Sequence, residues 1–442
     1  MAYDWLLLGG EVASSQEVVR ADVAIRGEQI VAVGDLKGHP AERTLHCDGL
    51  TILPGLIDSQ VHFREPGFEH KEDLESGSRS AVMGGVTTVL EMPNTNPPTT
   101  TAEALQDKLA RAHARMWCDH GFFVGATAEN ADHLAELELL PGTPGIKIFM
   151  GSSTGTLLVD AEQDLRRVLR SGKRPCAVHA EDESRNRLRK AEFANPTVAD
   201  HPIIRDAISA EIATRRMIAL SKETRRPVHI LHVSTANELE PIARAKRNGI
   251  PITAEVTPQH LFFAAPECYA RLGTLAQMNP PIRDESHRSA LRKALREGLF
   301  DVFGSDHAPH TLEEKARPYP QSPSGMPGVQ TLLPVLTTLI SQGLLTTKQL
   351  VQMAAERPAS LYGIINKGHI KPGFDADLAM VDLGRKVRFT RDMVESKCGW
   401  SPYEGEELTG WPVHVFVRGH AAMLEGHLAG EPQGRPARYD WK

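Results

Sequence analysis

Cysteine is scarce in this chain: Cys47, Cys118, Cys176, Cys268 and Cys398 are the only five, and no two show C-x-x-C spacing. That excludes a disulfide framework and a cysteine-built metal site, and it fits reduced thiols in a cytoplasm. Positive charge is not in excess either. Lys plus Arg number 50 against 56 Asp plus Glu, a net charge of −6, so the basic footprint of a dedicated nucleic-acid binder is missing. Long apolar runs are absent as well. Trp5 to Leu8 and Val329 to Ile340 fall short of the roughly 18 residues a bilayer span needs. The N-terminus lacks the basic flank and apolar segment of a signal peptide.

What is present is ordinary globular material, 41% hydrophobic and 24% charged over 442 residues, with an uncommon supply of 19 histidines. Disordered, collagenous and coiled-coil classes are excluded. If a metal is bound, imidazole, carboxylate and lysine-derived groups must hold it.

The first 55 residues read as short strands, with Gly27-Glu28 as a tight hairpin turn between Ala21–Arg26 and Gln29–Gly34. From about residue 366 the texture returns in Asp377–Asp382, Val387–Thr390 and the alternating Val413, Val415, Val417. Neither end can easily bury a sheet alone, so the two are expected to pair into one small β-sandwich domain of residues 1–55 plus 366–442. Between them, over 56–365, short apolar strands alternate with amphipathic helices, the rhythm of parallel β/α units. Strands are expected at Leu50–Asp58, Gly85–Met92, Gly121–Thr127, Ile146–Met150, Pro175–Ala180, Pro227–Val233, Ile252–Val256 and Asp301–Gly304. Eight of them predict an α/β fold, a (β/α)8 TIM barrel. Thr101–Met116 carries Leu105, Leu109 and Ala112 on one side of a helix, and Asp160 is expected to cap another with Leu165, Val168 and Leu169.

Chemistry-bearing residues collect at the C-terminal ends of these strands, where barrel enzymes keep their active sites. After the first strand, Gln60, His62 and Arg64 alternate and so share a face of an extended segment. His179 closes the fifth strand and His232 the sixth; Asp306 and His310 follow the eighth. One strand-end histidine is usually structural, but His62, His179, His232 and Asp306 at the same end of four different strands point to a site. Lys147 interrupts the otherwise apolar Ile146–Met150. It either snorkels to the strand end or, buried and neutral, takes up carbon dioxide to form a carbamate able to bridge two metals.

Pro54-Gly55-Leu56-Ile57-Asp58 running into Val61-His62-Phe63-Arg64-Glu65-Pro66-Gly67, with Glu91-Met92-Pro93-Asn94-Thr95, Val178-His179-Ala180-Glu181, Leu231-His232-Val233-Ser234, Asn279-Pro280-Pro281 and Ser305-Asp306-His307-Ala308-Pro309-His310, resembles the dihydroorotases of the amidohydrolase superfamily. The likeness spans nearly the whole chain, including Gly373-Phe374-Asp375-Ala376-Asp377-Leu378. It implies reversible hydrolysis of dihydroorotate to N-carbamoyl-L-aspartate in pyrimidine biosynthesis, by a metal-activated hydroxide with Asp306 as general base and then acid. It also implies two zinc ions per subunit, one on His62, Asp306 and position 60, the other on His179 and His232, bridged by carboxylated Lys147. Arg64, Asn94 and His310 would take the substrate carboxylate, and Asn279 with the backbone of Ser324 and Gly325 the ring. A homodimer and an association with aspartate transcarbamoylase are the implied partners.

Two positions depart from the family pattern. Gln60 stands where a histidine is usual, so the zinc there is expected to be the weaker one, because a neutral amide oxygen is a poor zinc donor. Gln259 stands before His260, where a second histidine is common. Two rival readings remain: another cyclic amidohydrolase, of allantoinase or hydantoinase/dihydropyrimidinase type, and a non-catalytic relative that scaffolds aspartate transcarbamoylase. Arg64 could also be an ordinary ion-pair partner of Glu65 or Glu69.

Overall fold

A computed structural model of the chain describes residues 2–152 and 157–440. Eight parallel strands surround one axis: Leu56–Val61, Val86–Glu91, Asp119–Phe122 continued by Val124–Gly125, Ile146–Phe149, Cys176–His179, Val228–Ile230, Ile252–Val256 and Val302–Phe303. Each pairs with its sequential neighbour in parallel. The ring closes between the last strand and the first. There His62 N donates to His307 O at 2.7 Å, Ser305 N to the Asp58 carboxylate at 2.9 Å, and Ser59 Oγ to Phe303 O at 3.2 Å.

The strands are almost wholly buried because helices cover them outside and side chains fill them inside. Ile57, Leu90, Phe123, Ala177 and Leu231 pack together inside the barrel with Tyr362 and Ile364. Outside, the helix Ala102–Ala112 starts where the Thr101 hydroxyl accepts from Ala104 N and buries Leu105 and Ala112. The helix Glu162–Arg170 buries Leu165, Val168 and Leu169, as its spacing predicts, but Ala161 rather than Asp160 occupies its N-cap and makes no side-chain cap. Glu162 and Asp164 in the first turn meet the positive end of the helix dipole instead.

The expected first strand, Leu50–Asp58, divides at Gly55. A side chain there would meet Thr87 Oγ1 at 2.2 Å, so only glycine lets the chain cross from one sheet to the other. Before it, Thr51–Pro54 joins the terminal sheet; after it, Leu56–Val61 opens the barrel. Strands from both ends of the chain form one hydrogen-bonded, nine-stranded sheet, with Thr51–Pro54 pairing Tyr3–Ala13 on one side and Leu378–Arg388 on the other. Leu7, Val23, Ile25, Ile52, Leu378 and Phe416 supply its core. The hairpin turn forms as expected, with Gly27 at φ 56°. The final segment leaves this sheet: Gly434 N donates to Met116 O at 2.8 Å and Ala437 N to His120 O at 2.7 Å, so the tail packs under the N-terminal end of the barrel. Among the described residues no helix is long and apolar enough to cross a membrane.

Candidate active site

The strand ends converge on a small, partly enclosed cavity. Of the twelve residues singled out by sequence, all but Lys147 and His310 line it. Gln60 lies on the first strand, within an irregularity of pairing between Asp58 and Val61, and His62 directly follows the strand's last residue. Arg64, further beyond the strand, turns into the cavity with φ 67°. His232 (φ 35°) and Asp306 (φ 46°) share this left-handed backbone, which side-chain-bearing residues adopt at a cost of about 1–3 kcal/mol each.

On one wall His179 Nδ1 and His232 Nε2 face each other at 3.1 Å. The outer nitrogen of His179, Nε2, lies 2.8 Å from Glu181 Oε2, and Arg205 grips the same carboxylate. Burial raises the pKa of Glu181, but Arg205 and His179 outweigh it and hold the group well below the usual carboxylate range. An ionised Glu181 keeps the proton of His179 on Nε2 and leaves Nδ1 open toward the cavity, the arrangement that orients metal-binding imidazoles. On the opposite wall His62 Nδ1 meets Asn94 Oδ1 at 2.6 Å while Nε2 stands 3.1 Å from Asp306 Oδ1. Gln60 Nε2 donates to that same oxygen at 2.9 Å, leaving Gln60 Oε1 buried without a partner. Burial, more than neighbouring charges, pushes the pKa of all three histidines down.

Lys147 does not snorkel. It is fully buried, its Nζ has no hydrogen-bond partner, and it lies 4.5 Å from the centre of the Phe149 ring. Burial drives its pKa down and that of Asp306 up, each toward the neutral form.

Arg64 settles the question of its own partner. It is 2% exposed, its Nε donates to Pro309 O at 3.0 Å, and among the described residues no carboxylate lies within ion-pair distance of it. Glu65 is taken by Arg115 at 2.7 Å, and Glu69 lies 3.9 Å from Arg111. His310 stands behind Arg64 rather than on the cavity wall. Its Nε2 is 3.3 Å from Arg64 Nη2 and 3.1 Å from Ser324 O, and the Lys71 ammonium donates to its Nδ1 at 3.1 Å. Asn279, Ser324 and Gly325 form the remaining wall, and Asn279 Oδ1 is buried and unpartnered. Gln259 does not reach this wall; its amide donates to Ser305 O at 2.5 Å and braces the eighth strand.

Residues 51–422 match the amidohydrolase family. The chain belongs to the amidohydrolase family. Among curated relatives it is 37% identical to the dihydroorotase of Halobacterium salinarum over 420 residues, covering 94% of this chain and 96% of that one. It is 32% identical to the dihydroorotase of Bacillus licheniformis over 428 residues, 93% and 96% of the two lengths. Among solved structures, the L-hydantoinase (dihydropyrimidinase) of Arthrobacter aurescens superposes with a TM-score of 0.94 at 28% identity, over 98% of this chain and 99% of that one.

Members of the amidohydrolase family are generally metal-dependent, and the residues here fit a metal site. Two facing donor pairs, with buried, unpartnered atoms on Lys147 and Gln60 beside them, are polar groups of the kind that hold a cation. Elsewhere among the described residues, one group of three acidic or imidazole side chains comes together, Asp119, Asp375 and Asp377. It is already neutralised: Lys367 Nζ sits 2.7 Å from Asp119 and 3.2 Å from Asp375 and also contacts Asp377, while Arg418 pairs with Asp119. That cluster ties the terminal domain to the barrel floor.

Sequence reasoning missed Glu181, Lys71 and Lys315. Glu181 was legible, since it lies two residues beyond His179 in the same extended run. The other two act across loops, and no spacing rule reveals them.

Proposed function

We propose that this amidohydrolase is a dihydroorotase, interconverting (S)-dihydroorotate and N-carbamoyl-L-aspartate in pyrimidine biosynthesis. The observation that carries the reading is the buried, carboxylate-free guanidinium of Arg64. An unpaired buried charge is expensive, and an anionic substrate relieves it through paired N–H···O bonds. Dihydroorotate carries such a carboxylate beside its cyclic amide; plain hydantoin and allantoin do not.

Zinc is the proposed metal: His179 and His232 on one side and His62, Asp306 and, more weakly, Gln60 on the other would hold it, together with N6-carboxylated Lys147. Bound there, it supplies Lewis acidity at the amide carbonyl and a nucleophile at neutral pH. The protein's own residues do the rest. Arg64, with Asn94 beside it and His310 behind it, fixes the carboxylate; Asn279 and the backbone of Ser324 and Gly325 orient the ring. The Asp306 carboxylate takes up the proton of the attacking group and delivers it to the departing ring nitrogen. The depressed basicity of buried Lys147 supports carboxylation, which requires the free amine.

We further propose a cytoplasmic homodimer, able to associate with aspartate transcarbamoylase, divided into a barrel of 56–365 and a terminal β domain of 1–55 with 366–442. Five unpaired cysteines and the exposed Leu188, Ile203 and Ile208 support the first part. Sedimentation with and without the transcarbamoylase tests it.

The structural likeness to hydantoinases favours one alternative, a hydantoin-type cyclic amidase. Ring closure of N-carbamoyl-L-aspartate is to be measured beside hydrolysis of hydantoin and allantoin. Turnover of the carboxylated substrate with at least about 100-fold preference is expected from two charge-assisted bonds; activity on hydantoin or allantoin alone overturns the reading.

A further inference from the structure

Lys315 is one of the most deeply buried cations in the chain, 1% exposed, at the end of the short helix Leu312–Lys315 that follows His310. Among the described residues it has no carboxylate within ion-pair distance. Its Nζ donates instead to three backbone carbonyls, Gln277 O at 3.1 Å, Pro323 O at 2.9 Å and Gly325 O at 2.9 Å. An ammonium has three N–H groups, and here each has one acceptor.

Those acceptors belong to two loops without regular structure, 277–279 and 322–325, which supply Asn279, Ser324 and Gly325 to the cavity wall. Other bonds complete the join. Gly325 N donates to Gln277 O at 2.9 Å, and Gln277 Nε2 donates to Ser322 O at 2.9 Å and Ser324 Oγ at 3.0 Å. On the far side His201 Nε2 donates to Met278 O at 2.9 Å. With the carbonyls of 277 and 278 both held away from the cavity, the side chain of Asn279 is left facing it. Gly325 is at φ 140°, and any side chain there would meet Ala308 O at 2.4 Å, so the loop has no slack of its own.

Carbonyl dipoles and the Trp400 ring, its centre 5.8 Å from Nζ, offset only part of the cost of burial, which pulls the Lys315 pKa down to about 7; a hydrophobic side chain would fill the same space without that cost. What the ammonium supplies, and an apolar group cannot, is a three-way link between loops. We infer that Lys315 is a positioning residue that locks the two ring-binding loops together and so sets the affinity for the cyclic substrate. The inference rests on the dihydroorotase reading for its substrate, though not for its geometry.

Two readouts on the full-length, zinc-supplied protein test it. Hydrogen exchange without substrate is the first. Lys315→Met should speed exchange by about 10-fold or more at the amides of 277–279, Ser322, Ser324 and Gly325, as expected for losing bonds to a charged donor, with the barrel strands unchanged. Equal protection in both proteins overturns the clamp. The second is steady-state kinetics on (S)-dihydroorotate, where Lys315→Met should raise KM about 10-fold while kcat stays within about threefold. Unchanged KM, or a loss confined to kcat, overturns it. Lys315→Gln keeps two donors and should fall between the two proteins in both readouts, which serves if the Met variant does not fold. A wild-type chain inactive on dihydroorotate ends the dihydroorotase reading, and the exchange result still decides the clamp.

Discussion

Across the cavity, two pairs of side chains face each other and are built to different standards. His179 and His232 present two imidazole nitrogens 3.1 Å apart, with Glu181 and Arg205 ordered behind them. His62 and Asp306 present one nitrogen and one oxygen, and the Gln60 amide already donates to that oxygen at 2.9 Å. The first pair offers zinc two imidazole nitrogens, bonded only to each other, and a charged support. The second asks zinc to displace a hydrogen bond and to accept a neutral amide oxygen as third ligand. The contrast suggests that affinity is set less by how many polar groups line a cavity than by what each is already bonded to.

Lys147 is proposed to serve both pairs, so its loss should have the largest effect. Lys147→Ala is expected to lower kcat/KM by at least about 1,000-fold, beyond the 10–100-fold typical of outer supporting residues, and to abolish binding of a second zinc. Activity within 10-fold of wild type would remove the shared bridge and leave two unrelated pairs. Next comes the ranking of the halves. His179→Ala should cost more than about 100-fold in kcat/KM and Gln60→Ala less than about 10-fold; the reverse order breaks the comparison. Arg64→Met separates metal binding from carboxylate recognition. It should raise KM for N-carbamoyl-L-aspartate by about 10–100-fold while the zinc content of the purified chain stays unchanged.

The smallest effect concerns buried histidines outside both pairs. Burial holds the pKa of His201 down at about 3, so the folded chain keeps it neutral where an unfolded imidazole, near 6.5, is protonated. Unfolding therefore takes up a proton below about pH 6.5, and stability is lost as pH falls toward the folded value. Replacing it by His201→Gln should reduce the slope of unfolding free energy against pH by about 1.4 kcal/mol per pH unit between pH 6 and 4. The same reduction is expected with and without zinc, measured by denaturant titration. A reduction seen only in the zinc-loaded protein would tie His201 to the metal pairs.

Much of this was legible from residue order. Alternation and apolar runs located all eight barrel strands, because a strand buried on both faces must be short, apolar and punctuated. Strand-end placement located the two donor pairs. The split at Gly55 was hidden, since a continuous apolar run says nothing about which sheet each half joins, and the deciding contact, Thr87, lies on another strand. Arg64 does line the cavity, but it gets there through a left-handed turn that sequence alternation does not foresee. His310 reads as a direct contact in sequence, whereas it stands behind Arg64. Lys315 carries no sequence signal, because its partners are backbone carbonyls, which every residue has.

The inequality of the two halves is most directly tested by zinc content per chain after dialysis against a mild chelator, for wild type and Gln60→His side by side. We expect about one zinc retained in the wild type and about two in the variant, since histidine supplies the nitrogen donor that the amide does not. Two equally resistant zinc ions in the wild-type chain would contradict the account.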